Sequence, residues 1–279
     1  AASDVYKRQP LYFTLAGMIP GAIAVPIFVH VWGLPGSAIA TVLGMAIIAA
    51  FFVRELRREH TGSWEVKWDV VRRQLVLGRD LIVRSMSFQV AFLSAAAVAS
   101  RIGTAQLAAH QIMMQMWNFL ALVLDSLAIA AQALTGAALG AGSARYARTV
   151  GTKVTLYSTV FSVALAAVLA LGSGVIPRVF TTSPEVRDVI SGPWWVMTFL
   201  VVIGGVLFAL DGVLLGAGDA AFLRTLTLVS VLLGFLPGVW LAYALDAGLA
   251  GVWGGIAAFI VIRMVGVMWR FYSMRWARV

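Results

Sequence analysis

No cysteine occurs in this chain, and only three histidines do. The first absence removes disulfide frameworks and thiolate metal sites. The second leaves no histidine pair at metal-binding spacing, so no metal is expected. Charge is also scarce, at 12% of 279 residues, where soluble domains carry roughly 25%. There is no Walker motif, and Gly216-Ala217-Gly218-Asp219 closes an apolar run, so it reads as a turn and not as a nucleotide loop. No cluster of His, Asp or Ser stands at a segment end as a membrane-embedded enzyme would need. An enzyme is therefore not expected, nor any bound cofactor.

Apolar surface, by contrast, is abundant. Hydrophobic residues make up 61% of the chain and mean hydropathy is +0.92. The fold class is all-α, a polytopic membrane helix bundle. Eight segments reach bilayer length: residues 10–31, 36–54, 80–100, 107–139, 147–175, 189–215, 221–244 and 248–270. Residues 1–9 (AASDVYKRQ) share no pattern with the rest of the chain and resemble a translated sequencing adaptor, so they are set aside as a scar. Residues 55–79 are polar and amphipathic, and read as an exposed linker or interfacial helix.

The net charge of +9 suggests a nucleic-acid partner until its placement is considered. There is no polar domain to hold one, so no nucleic acid is expected. Lys and Arg cluster in short connections instead. One side carries Arg54, Arg57, Arg58, Lys67, Arg72, Arg73, Arg79, Arg145, Arg148, Lys153, Arg224, Arg270, Arg275 and Arg278. The other carries Arg101, Arg178 and Arg187. Fourteen against three puts the 55–79 linker and the C-terminus in the cytoplasm.

An internal echo is visible. Pro20-Gly21 and Gly33-Leu34-Pro35-Gly36 open the first two segments; Pro237-Gly238 and Gly248-Leu249-Ala250-Gly251 open the last two, at offsets of 217 and 215 residues. Both copies run into a basic end, so the repeat is parallel. A unit of this length makes the chain one whole six-span bundle preceded by the tail of another.

The segment 107–139 carries a polar seam of Gln111, Gln115, Asn118, Asp125 and Gln132, spaced four, three, seven and seven residues apart. These spacings keep one helix face. From Gln111 to Gln132 is 21 residues, about 31 Å of helix and about one hydrocarbon thickness. Amides and a carboxylate along that length belong to a wet cavity, which suggests transport of a small molecule across the bilayer. Gln89, mid-span in the third segment, is a further candidate to line it. Asp125 and Asp211 stand inside apolar runs. An acidic residue at a span centre costs roughly 2.5–3.5 kcal/mol, and low dielectric disfavours its charged form. Both are therefore candidates to load and unload a coupling proton. Gly212 and Gly204-Gly205 are expected to allow close approach or bending beside Asp211. Arg84, one turn inside the third segment, is expected to snorkel to the interface.

Three stretches carry a family likeness: Arg84-Ser85 and Gln89 followed by ASRIG (99–103) and LAAHQI (107–112); LDSLA (124–128) followed by GAALGAG (136–142); and LDGVLLGAGD (210–219). In order and spacing they resemble the multidrug and toxic compound extrusion (MATE) family, DNA-damage-inducible F (DinF) branch, over residues 10–276. The resemblance implies twelve spans in two six-helix lobes, a cavity between them, and export of organic, often cationic or amphipathic, compounds against protons or sodium. It implies that residues 10–54 are the last two spans of the N-lobe, 55–79 the inter-lobe linker, and 80–279 the C-lobe, in a plasma-membrane protein. On this reading the chain is an N-terminally truncated fragment, inactive without the missing N-lobe helices. The family's acidic positions in spans eight and ten fall on Asp125 and Asp211. Gln89 replaces a Glu found in some relatives, which leans towards protons. The residues after Gly136 depart from the family, with Ala137 and Ala138 where Gln is common. Two rivals stand beside it. A lipid-linked saccharide flippase of the same superfamily would want a strongly cationic cavity, and only Arg84 and Arg101 lie near a lumen. A membrane-embedded enzyme lacks its residues.

Overall fold

A computed structural model describes the backbone of residues 2–59 and 68–277, and the side chains of 12–58, 68–72 and 74–277. It is helical, with no strand among the described residues. The chain divides into two compact units, residues 1–67 and 68–279. Eight helices are long and apolar enough to cross a membrane.

The first unit is a hairpin of α1 (Ala2–Trp32) and α2 (Leu34–Glu59). Residues 2–9, set aside above, continue α1. Gly33 breaks the pair at φ +63°, a conformation that a Cβ disfavours.

The second unit holds α3 (Trp68–Ile102), α4 (Thr104–Gly140), α5 (Ala144–Leu171), the short α6 (Ile176–Phe180), α7 (Pro184–Gly216), α8 (Ala220–Ser230), α9 (Leu236–Ala244) and α10 (Gly248–Tyr272). A single π-helical turn, Val231–Phe235, joins α8 to α9 inside one span. Pro237 follows it and has no N–H to donate back, so the helix widens there and remains continuous. Residues 55–59 extend α2, and 68–79 are the first turns of α3. The middle of the expected linker, 60–67 with Lys67, lies outside the described residues, as does Arg278.

Local chemistry sets the boundaries. Ser143 and Ser183 cap α5 and α7, accepting from the N–H of Tyr146 and Val186. Pro184 occupies the first turn of α7, where a missing N–H is harmless. Gly248 opens α10 at φ +61°, the conformation Gly33 takes 215 residues earlier. Gly36 lies against the backbone of Phe28 and Gly251 against Ala242, so the sequence echo has a counterpart in each hairpin.

The core of the second unit is built around α7, the most buried span, which packs on α4, α5 and α10. Small residues let it come close. Cβ atoms at Gly212 and Gly216 would strike the carbonyl oxygens of Ala128 and Gln132 in α4; one at Gly205 would strike Ser162 in α5. Trp194 of α7 is buried and donates through Nε1 to the Leu169 carbonyl of α5 at 3.1 Å. His110 is buried with its ring 6.2 Å from that of Trp253.

Candidate functional site

Four helices of the second unit, α3, α4, α7 and α10, line a half-open cavity of about 610 Å³. This lies within the range of about 300–1,000 Å³ usual for drug-sized ligands. Each helix contributes one face. On α3 it is Arg84, Phe88 and Phe92, spaced by four. On α4 it is Asn118, Asp125 and Gln132, spaced by seven. Phe208, Asp211 and Gly212 come from α7, and Phe259 and Arg263 from α10.

The two carboxylates share this cavity but differ in their surroundings. Asp125 is exposed and has no ion-pair partner among the described residues. Asp211 is buried and receives two arginines on the same oxygen. Arg84 Nη2 donates to Asp211 Oδ2 at 2.5 Å, and Arg263 Nη2 donates to that oxygen as well. This cluster ties α3, α7 and α10 together. Asp211 Oδ1 and the Nε atoms of both arginines are buried without hydrogen-bond partners among the described residues. Aromatic rings complete the surroundings: Arg263 lies 4.9 Å from the Phe88 centroid and 5.6 Å from that of Phe259, and Arg84 lies 5.7 Å from Phe88. The rings continue as a chain, Phe88 to Phe259 to Phe235 to Phe92, which carries the wall to the π-helical turn.

The residues singled out from sequence fall in different places. Arg84 does not snorkel to the interface; it turns inward because Asp211 is within reach and the aromatic wall accepts its guanidinium. Of the polar seam, Asn118, Asp125 and Gln132 line the cavity and Gln111 and Gln115 do not. Gln115 and Gln132 are seventeen residues apart, which at 3.6 residues per turn rotates them about 100°. Gln115 therefore faces a separate apolar cleft with Phe119, Leu165 and Phe180. Gln111 keeps the line but lies seven residues, about 10 Å, beyond Asn118. Gln89 is exposed and off the cavity, one position round the helix from Phe88.

Arg263 is not among the site residues expected from sequence. Its signal was present, a guanidinium inside the apolar run IVIRMVG, since an intramembrane ionisable residue is rare and seeks a partner.

Two more carboxylates hold ion pairs near helix ends among the described residues. Asp80 of α3 accepts from Arg224 of α8 at 2.5 Å and from Arg79 at 2.8 Å; Asp219 accepts from Arg270 of α10 at 2.6 Å. Both lie at the end of the unit where the basic connections gather.

Comparison with known proteins is consistent with this architecture. The chain is 32% identical over 266 residues to Protein DETOXIFICATION 44, chloroplastic, of Arabidopsis thaliana, an alignment covering 94% of this chain and 50% of that protein. It is 25% identical over 284 residues to DNA damage-inducible protein F of Escherichia coli (strain K12), covering 95% and 60%. The chain thus spans about half the length of the first relatives it matches. Its fold superimposes on a crystal structure of MATE in the straight conformation with a TM-score of 0.81 at 20% identity, over 94% of this chain and 62% of that one. The pattern that defines the MatE family matches residues 81–240, more than half of the chain and most of the cavity walls, and the chain belongs to that family.

Proposed function

We propose that this chain supplies the ligand cavity and coupling carboxyl of a secondary active transporter. That transporter expels organic, amphipathic compounds by proton or sodium antiport through alternating access. The observation that carries this reading is the exposed, unpaired Asp125 on the wall of a drug-sized cavity inside a membrane bundle. Asp211, held by two arginines, serves as an anchor for α3 and α10. Asp125 is then the carboxyl free to exchange a proton. Family membership and likeness to a protein named for detoxification support export. The basic helix ends support a cytoplasmic placement of the 55–79 region and the C-terminus. A plasma-membrane location is part of the same proposal. A second lobe completes the transporter, in line with the half-length match to its relatives.

The test is transport by the intact protein in proteoliposomes, with pH and sodium gradients imposed separately. Accumulation of a fluorescent amphipathic compound that collapses when the pH gradient is dissipated supports proton antiport. Collapse only with the sodium gradient assigns sodium. Accumulation indifferent to both contradicts the reading.

A further inference from the structure

We infer that Arg84 and Arg263 form a subsite for an anionic group, carboxylate or phosphate, on the compound this cavity binds. The preferred ligand is therefore an amphipathic anion or zwitterion, and a simple lipophilic cation is disfavoured. This rests on the reading of the cavity as a ligand site and names the ligand's class.

The charge balance comes first. The buried cluster holds two guanidiniums against one carboxylate. Both arginines use one nitrogen, Nη2, and both direct it at one oxygen of Asp211. Each guanidinium has five N–H donors in a rigid fork suited to planar oxyanions. Most of that capacity is unspent. The Arg263 side chain is 6% exposed, and its Nε has no partner among the described residues. The Arg84 side chain is 14% exposed and its Nε is likewise unpartnered. Phe88 and Phe259 lie within cation–π distance of the guanidiniums and accept no hydrogen bond from their N–H groups. Buried donors of this kind favour an incoming acceptor, and charge-assisted bonds to an oxyanion are about twice as strong as neutral ones.

The rest of the cavity fixes the remainder of the ligand. Aromatic and aliphatic side chains around the arginines suit an apolar body. The α4 wall offers Asn118, Asp125 and Gln132 to a polar or cationic end. A ligand cation without an acidic group meets the net positive cluster on one side and gains only Asp125 on the other.

Asp211 competes with the ligand for the same donors, and this gives a test whose sign misfolding does not imitate. Equilibrium binding to the protein purified in detergent would be measured for two probes of one shape, 1-naphthylacetate and 1-naphthylmethylammonium, and for farnesyl phosphate. The wild type should bind the carboxylate about tenfold or more tighter than the ammonium. Arg263→Gln should weaken carboxylate binding by a similar factor and leave the ammonium unchanged or tighter. Asp211→Asn, which releases both arginines, should tighten carboxylate binding. Binding of farnesyl phosphate without the naphthyl carboxylate supports the same anion subsite and assigns it to a lipid-borne phosphate. Binding of both supports a free amphipathic anion. Preference for the ammonium in the wild type, or weaker carboxylate binding in an Asp211→Asn protein that still binds the ammonium as the wild type does, overturns the inference. Binding needs no gradient, so a failure of antiport leaves this measurement standing and is told apart from it.

Discussion

Arg263 of α10 donates to Asp211 of α7, 52 residues away in sequence, and both side chains are buried beside an aromatic wall. Arg84, 127 residues before Asp211, donates to the same oxygen. Three helices meet at one carboxylate. Removing that carboxylate strands two adjacent guanidiniums. Breaking a buried ion pair by deleting one partner typically costs about 3–5 kcal/mol. Asp211→Ala should therefore destabilise the protein by about that much in detergent thermal unfolding. Arg263→Met should be milder, since Arg84 still neutralises Asp211. The reverse order contradicts the shared-oxygen geometry.

Helix approach beside the site makes a second prediction. Gly212 faces the Ala128 carbonyl with no room for a Cβ. Gly212→Ala forces α4 from α7 and should lower stability by about 1–3 kcal/mol, as overpacking does. Gly254, in α10, has nothing within 4 Å of a built Cβ. Gly254→Ala should be neutral or stabilising by up to about 1 kcal/mol. Paired thermal unfolding of the two variants checks the contrast.

The helix-end pairs differ in burial. The Asp80 side chain is 3% exposed, that of Arg224 25% and that of Arg79 60%. Exposed ion pairs contribute little. Arg224 also links α8 to α3, whereas Arg79 pairs with its own neighbour in sequence. Arg224→Ala should lower Tm measurably and Arg79→Ala should leave it within error. Equal shifts contradict the assigned roles.

How far the sequence disclosed this site depends on the range of each interaction. All eight spans were readable, because span length and apolar content are local properties. Asp125 and Asp211 announced themselves as carboxylates in apolar runs, and both line the cavity. The rotation that splits Gln115 from Gln132 is implicit in their spacing, but steps of three, four and seven each look like one face. Snorkelling is a local expectation for Arg84, whereas its partner Asp211 lies on another helix. Arg263 sits in no connection, so the charge bias between connections does not register it. The start of α3 at Trp68 was hidden by its charge, since polar helical turns beyond the bilayer look like linker. The π-helical turn had a cue in Pro237 but no sequence pattern of its own.

The proposed transport cycle stands on Asp125 as the carboxyl through which the gradient acts. The decisive measurement compares Asp125→Asn with wild type in proteoliposomes, scoring gradient-driven accumulation and gradient-free exchange of the same compound. Accumulation should fall by more than about tenfold while exchange persists, because an intramembrane carboxyl lost to coupling need not close the cavity. Accumulation at the wild-type rate in Asp125→Asn contradicts that role.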